Sequence, residues 1–463
     1  MEPRSLTSVA ESCGGELLGD SPYATVTRVC SDSRQTQPGD LFVALAGEKF
    51  DGHDYLSEAA RKGAAAVIAE QKKARSQELG CAVIAVEDTR QALGKLAACY
   101  RRDFDPAMIA VGGSNGKTTT KELLASVLRQ RFTTLWSEAS FNNDIGVPMT
   151  LLKLDRTHQA AALEVGTNHP GELAPLVRMI EPRFGVITSV GREHLEFFGD
   201  LTGVAEEQGW LAELLPPDGA LFVNGDSPDI EKIVRRTRAK VSRVGLGSEN
   251  DWRAVKVKPD ESGATFQVKT ADEAVRGEYR VNLLGRHQIV NAMLAAAVGT
   301  ELGLRREEIQ HGLAECQPAP RRMQVWTAKG VRVLDDAYNA NADSMVAALE
   351  TLKEFPCAGR RVAVLGDMAE LGAHSAEAHA EVGRRAAELR VDHLFAVGKM
   401  AGVMGAAARA AGLMRVIELG EVETVANAVK RFVRPDDVVL IKASRASRLE
   451  RVSEVLRDEN SKK

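Results

Sequence analysis

Met108-Ile109-Ala110-Val111 runs into Gly112-Gly113-Ser114-Asn115-Gly116-Lys117-Thr118-Thr119-Thr120, and a helical pattern leaves it with Leu123, Leu124, Val127 and Leu128 on one face. Strand, glycine-rich loop and helix in this order are what a phosphate-binding loop needs. Gly113 to Thr118 is a shortened form of G-x-x-x-x-G-K-[ST], with two residues between the glycines. Glycines let successive backbone N–H groups turn inward, and a helix N-terminus adds positive potential. Lys117 can reach β- and γ-phosphates, and the Thr118 hydroxyl can sit on Mg²⁺. A plain turn with a helix cap is the alternative; the order of strand, glycines, Lys and Thr argues against it.

The 463 residues predict two to four domains, since domains commonly run about 100–200 residues. A hydrophobic content of 44% is ample for packed cores. A net charge of -4 and a pI near 6.2 speak against a general nucleic-acid or membrane-surface binder. The first twenty residues contain no apolar h-region, so no secretory signal is expected. The apolar run near 401–414 is broken by Arg409, and no stretch is long enough to span a bilayer. Cys13, Cys30, Cys81, Cys99, Cys316 and Cys357 are scattered without a C-x-x-C pair. That fits a reduced, cytoplasmic setting and neither a zinc site nor a disulfide framework.

The first segment, residues 1–87, alternates strand-like and helical runs and reads as a small α/β domain. Within it Ser33, Arg34 and His53 can hold an anionic ligand, or serve as turn residues and a helix cap. The second segment, 88–316, opens with a helix over Thr89–Arg101 and carries the glycine-rich loop. Asn142 and Asn143 lie in a polar loop that faces a ligand or simply turns the chain. Ala160-Ala161-Ala162-Leu163-Glu164 is a near-continuous apolar run ending in a carboxylate, as expected of a buried parallel strand. Ligands of open α/β sheets sit at the carboxyl ends of strands, which makes Glu164 a Mg²⁺-ligand candidate or a helix-capping Glu. His194 follows the strand-like Phe184–Val190 and is either a metal ligand or a hydrogen-bonded histidine. A helix is expected over Gly203–Leu215, and antiparallel β over Asp251–Leu284. Asn291, one turn inside an Ala-rich helix, can meet a nucleotide base or be a polar first-turn residue.

Gln317-Pro318-Ala319-Pro320 reads as a linker to the last segment, 317–463. Five strand-like runs follow, at Val331–Leu334, Val362–Leu365, His393–Val397, Arg415–Leu419 and Val438–Ile441, separated by helical patterns. That is a Rossmann-like open sheet without a G-x-G-x-x-G fingerprint, so dinucleotide binding is disfavoured. Asp336, Asn339, Asn341, Lys442 and Arg445 fall at its strand ends.

Taken together, these stretches resemble the Mur ligases of bacterial cell-wall synthesis over nearly the whole chain. The most specific marks are Asp32-Ser33-Arg34, Gly47-Glu48-Lys49-Phe50-Asp51-Gly52-His53, Gly113–Thr120, Asn142-Asn143-Asp144-Ile145-Gly146-Val147-Pro148, Asp336–Asn341 and Gly366–Gly372. Asp-Asn-Pro-Arg, the motif of the sibling that adds diaminopimelate, is absent. The resemblance therefore favours the family member that adds D-alanyl-D-alanine to UDP-N-acetylmuramoyl-tripeptide in peptidoglycan synthesis. It implies an α/β protein of three domains: a small N-terminal one for the UDP end, a central P-loop ATPase-like domain with a mostly parallel sheet, and a mobile Rossmann-like one for the amine. It implies a monomer that uses ATP and Mg²⁺. ATP phosphorylates the tripeptide carboxylate, the dipeptide amine attacks the acyl phosphate, and amide, ADP and phosphate result.

By the same resemblance, Gly113, Ser114, Asn115, Gly116, Lys117, Thr118 and Thr119 hold the phosphates. Thr118, Glu164 and His194 hold Mg²⁺, Asn291 meets adenine and Asp336 the ribose. Arg322 reaches the γ-phosphate when the last domain closes. Ser33, Arg34 and His53 contact the UDP-sugar, and Asn142, Asn143, Asn339, Asn341, Lys442 and Arg445 the remaining substrate. One position departs from the family pattern. Gln208 stands where relatives carry a carbamylated lysine that supports a second Mg²⁺. Either Glu206 or Glu207 supplies the missing carboxylate, or catalysis is weakened. A folylpolyglutamate synthase-like ligase and a nucleotide-binding scaffold are the competing readings.

Overall fold

The computed structural model describes residues 1–18, 24–47, 49–74 and 79–457; Glu48 of the sequence motif lies outside them. The chain forms two compact units. The first comprises residues 1–110, 132–167 and 172–184, and the second 111–131, 168–171 and 185–463.

In the first unit, β1 (Glu16–Leu18), β2 (Val29–Cys30), β3 (Leu41–Val43), β4 (Ala66–Glu70) and β5 (Ala82–Val86) make a sheet of order β1-β5-β4-β3-β2. All neighbours pair in parallel except β1 with β5. Phe42, Ala44, Val67, Ala69, Val83 and Ala85 pack on Leu56 and Ala59 as one core. Helix α1 (Thr89–Arg101) has the expected bounds. Asp88 caps it by accepting the Gln91 N–H, and Leu93, Leu96, Ala97 and Tyr100 form its buried stripe.

Strand β6 (Ala107–Gly112) feeds the glycine-rich loop and α2 (Lys117–Leu128). In the first unit, β7 (Thr134–Trp136) pairs in parallel with β8 (Ala160–Glu164), which is buried throughout. Next come β9 (Phe184–Ile187) and α3 (Leu201–Glu213), then β10 (Ala220–Asn224), β11 (Lys240–Gly245), β12 (Trp252–Asp260), β13 (Gly263–Lys269), β14 (Gly277–Val281) and α4 (Arg286–Glu301). In the second unit the strands run β14-β13-β12-β11-β10-β9. The pairs β12–β13 and β13–β14 are antiparallel, as the alternation of residues 251–284 predicts. β9 ends at Ile187, before the expected Val190, although the Thr188 N–H still bonds Gly112 O.

The C-terminal part of the second unit contains β15 (Gln324–Ala328), β16 (Val331–Asp335), α5 (Ala342–Glu354), β17 (Arg361–Leu365), α6 (Ser375–Glu388), β18 (His393–Val397), β19 (Val416–Leu419) and β20 (Val438–Lys442). The sheet order is β15-β16-β20-β17-β18-β19, antiparallel only at β15. Val333, Val362, Val364, Val439 and Ile441 face one core, and Leu334, Ala363, Leu365, Val438 and Leu440 the other. Burial of both faces explains the continuous apolar runs. Among the described residues no helix is long and apolar enough to cross a membrane.

Candidate active site

The loop after β6 is stitched to residues 188–191 of the same unit. Gly112 O accepts both the N–H and the Oγ1 hydroxyl of Thr188, each at 3.1 Å. Ser114 N–H donates to Ser189 O at 2.8 Å, and Ser114 Oγ accepts the Gly191 N–H at 2.9 Å. Asn115 N–H donates to Ser189 Oγ at 2.9 Å. Two positions require glycine. Gly113 has φ +112°, and a Cβ there would lie 2.4 Å from Thr188 Oγ1; Gly116 has φ +89°, and a Cβ would lie 2.7 Å from Asn291 Oδ1. Lys117, first residue of α2, folds back so that its Nζ donates to Gly113 O at 2.5 Å and Ser114 O at 3.3 Å. It also lies 3.3 Å from Glu193 Oε2. The next residue, Thr118, is buried, and its Oγ1 accepts from Arg322 Nη2 at 3.2 Å. The Arg322 guanidinium lies over the Tyr338 ring, 4.0 Å from its centroid.

Other second-unit candidates gather near this loop or at the C-terminal strand ends. Asn291 is buried in α4, donates to Gln288 Oε1 at 2.8 Å and faces Gly116. Asn341 caps α5 and donates to Asn115 Oδ1 at 3.0 Å. The end of β16 brings Asp336 to Lys442 Nζ of β20 at 2.6 Å; Lys442 also bonds Asn339 O at 3.0 Å, and Asn339 Oδ1 accepts the Arg445 N–H at 3.3 Å. The buried Lys442 is thus consumed in orienting Asp336 and the 339 turn. His194 sits in left-handed backbone, φ 48°, with Nδ1 2.6 Å from Glu370 Oε2. The imidazole holds the Glu370 carboxyl below its ordinary range.

Glu206 is exposed, and Glu207 is buried with Oε2 accepting the Gly171 N–H at 2.8 Å. The carboxylate at Gln208 is Glu193, whose Oε1 accepts from Gln208 Nε2 at 3.1 Å. Sequence analysis assigns no role to Glu193, the neighbour of His194. It also missed Arg192, which bonds Asp343 through its backbone N–H and Nε at 2.7 and 2.8 Å and Glu381 through both Nη atoms at 2.5 and 3.1 Å.

In the first unit, Glu164 ends β8 fully buried. Oε1 accepts from Asn142 Nδ2 at 2.8 Å, and Oε2 has no hydrogen-bond partner. A buried carboxylate oxygen left bare suits a hard cation, so the residue fits Mg²⁺ better than a helix cap. Asn143 is a cap: its Oδ1 accepts the Gly146 N–H at 2.9 Å. Ser33 Oγ donates to Glu58 Oε2 at 3.1 Å, while Arg34 is exposed and paired with Asp32. His53 is buried with Nδ1 2.6 Å from Asp51 Oδ1 and Nε2 accepting the Glu70 N–H at 3.0 Å. With both ring nitrogens engaged, it positions the loop, and it does not present an atom to a ligand.

Residues 25–101 match the model described as Mur ligase family, catalytic domain; 111–299 match the Mur ligase middle domain; and 321–445 match the Mur ligase, glutamate ligase domain. The UDP-N-acetylmuramoyl-tripeptide--D-alanyl-D-alanine ligase of Escherichia coli (strain K12) is 35% identical over 461 residues, 98% of each chain. The chain belongs to the Mur ligase family. A crystal structure of MurF from Acinetobacter baumannii superposes with a TM-score of 0.89 at 30% identity, over 98% of this chain and 99% of that one. MurF ligase from Thermotoga maritima in complex with ADP gives 0.82 at 30% identity, over 94% and 98%. This Mur ligase is thus an enzyme with the family's three-domain α/β fold, of the ATP-dependent ligase class.

Proposed function

We infer that this Mur ligase joins D-alanyl-D-alanine to UDP-N-acetylmuramoyl-tripeptide with consumption of ATP, supplying a peptidoglycan precursor. The observation that carries this is likeness over 98% of the chain to the dipeptide-adding relative, with the phosphate loop in place. Residues 1–87 would hold the UDP end, 88–316 the nucleotide, and 317–463 the amine. The protein would act as a cytoplasmic monomer.

A carboxylate attacking a γ-phosphate must overcome charge repulsion, so cations have to gather at that phosphate. Lys117 and Arg322 are the cations on the loop. Asn291 lies beside Gly116, where an adenine would be reached, and Asp336 is held ready for a ribose hydroxyl by Lys442. Thr118 and His194 of the second unit and Glu164 of the first are each candidates to ligate Mg²⁺, which when bound neutralises phosphate charge. The experiment is ADP release with the UDP-tripeptide, with and without the dipeptide, followed by product mass. Dipeptide-dependent release and a mass gain of one dipeptide are expected. Nucleotide binding without release would favour the scaffold reading, and thermal protection by a folate but not by a UDP-sugar would favour the folate ligase.

A further inference from the structure

Four residues around the loop close a hydrogen-bonded ring. Gly113 N–H donates to Gln208 Oε1 at 2.8 Å, Gln208 Nε2 donates to Glu193 Oε1 at 3.1 Å, Glu193 Oε2 meets Lys117 Nζ at 3.3 Å, and Lys117 Nζ returns to Gly113 O at 2.5 Å. The ring is largely dry: Gln208 is 1% exposed, and the Glu193 and Lys117 side chains 6% and 14%. We propose that Glu193, oriented by Gln208, is a positioning residue that holds Lys117 off the phosphate site until a nucleotide arrives with its divalent cation. This rests on the phosphate-loop reading above.

The ring explains the residue at 208. The position must accept from a backbone N–H on one side and donate to a carboxylate on the other, and a neutral amide does both. An unmodified lysine has no acceptor, so it would leave the Gly113 N–H unpaired and place a second cation beside Lys117. A glutamate would set two carboxylates against each other. Gln208 and Glu193 are therefore one unit, and the negative charge belongs to Glu193.

The consequence concerns nucleotide binding. Lys117 Nζ spends its three protons on Gly113 O, Ser114 O and Glu193. To reach a phosphate it must leave Glu193. The carboxylate stays behind, tethered by Gln208, where it repels a bare polyphosphate. A divalent cation on the phosphates removes that repulsion. Glu193 thus penalises free nucleotide relative to the metal–nucleotide complex.

The test is calorimetric binding of ADP to the full chain, in excess Mg²⁺ and in excess chelator, for wild type, Glu193→Gln and Glu193→Asp. Glu193→Gln is expected to bind bare ADP about tenfold more tightly than wild type, the range for one charged hydrogen bond no longer broken. Its Mg²⁺ dependence shrinks accordingly. Glu193→Asp keeps the charge on a shorter arm, and its affinity for bare ADP should fall between the two. Unchanged or weaker binding of bare ADP by Glu193→Gln overturns the proposal while leaving the phosphate loop standing. Should Glu193→Gln not fold, equal bare-ADP affinities of Glu193→Asp and wild type overturn it. Failure of wild type to bind ADP under either condition overturns both readings.

Discussion

Arg322 Nη2 donates to Thr118 Oγ1 at 3.2 Å, joining the residue just past the 317–320 linker to the first turn of the phosphate-loop helix. The sequence reading expects Arg322 to arrive on closure of the C-terminal domain; in this structure it is already on the loop, steadied by the Tyr338 ring. A guanidinium aimed where phosphoryl charge develops acts on the transition state more than on ground-state binding. Arg322→Ala should lower kcat by ~10²–10³ and leave KM for the UDP-substrate nearly unchanged. Steady-state kinetics decide this, and an equal loss in both parameters would place Arg322 in substrate binding.

Lys117→Ala removes a cation from the γ-phosphate and should cost roughly 3–4 kcal/mol of transition-state stabilisation, read as kcat. It also leaves Glu193 buried without its cationic partner, so the melting temperature falls too. Near-normal turnover would refute the phosphate-loop assignment.

Glu164 is expected to separate stability from function. Its Oε2 is buried without a hydrogen bond, so the carboxylate is held at a cost in the metal-free protein. Glu164→Gln should melt higher than wild type in chelator. Wild type should then gain on adding Mg²⁺, by about 2.7 kcal/mol at a hundredfold excess over Kd, and the variant should gain little. Equal gains in both would remove Glu164 from the cation site.

These expectations differ in how far they were readable. The strands Val331–Asp335, Arg361–Leu365, His393–Val397 and Val438–Lys442 are apolar runs because both sheet faces are covered, and such runs are legible. Gln324–Ala328 escaped notice because it is a half-exposed edge strand with a polar start. The loop from Gly113 to Thr118 was legible because its chemistry is contiguous. The Glu193–Gln208 contact was not: it spans fifteen residues and depends on how α3 packs beside the loop, which no local pattern records.

His53 is a case in which the residue was legible and its role was not. A histidine in a polar loop reads as a ligand contact, but here it bridges Asp51 and the Glu70 N–H. His53→Ala should therefore destabilise the protein by about 1–3 kcal/mol, the cost of unpaired buried groups. Substrate affinity of the folded fraction should change little. Chemical denaturation and UDP-substrate binding measured side by side distinguish this from direct contact, which would weaken binding at unchanged stability.

The Arg192–Glu381 pair gives a pH dependence with a definite sign. Arg192 holds the Glu381 carboxyl below its ordinary value of 4.5. A carboxyl whose folded value is depressed contributes stability fully above its unfolded value and loses it as pH falls through the folded one. Wild type should thus exceed Glu381→Gln in melting temperature at pH 7. The gap should persist down to about pH 4.5 and close below it. Both side chains are partly exposed, at 31% and 28%, so the contribution stays near ~1 kcal/mol and shrinks in high salt. Melting curves of the two proteins between pH 7 and 3.5, at low and high salt, test this; a gap that widens on acidification would show that the pair does not stabilise the fold through the Glu381 charge.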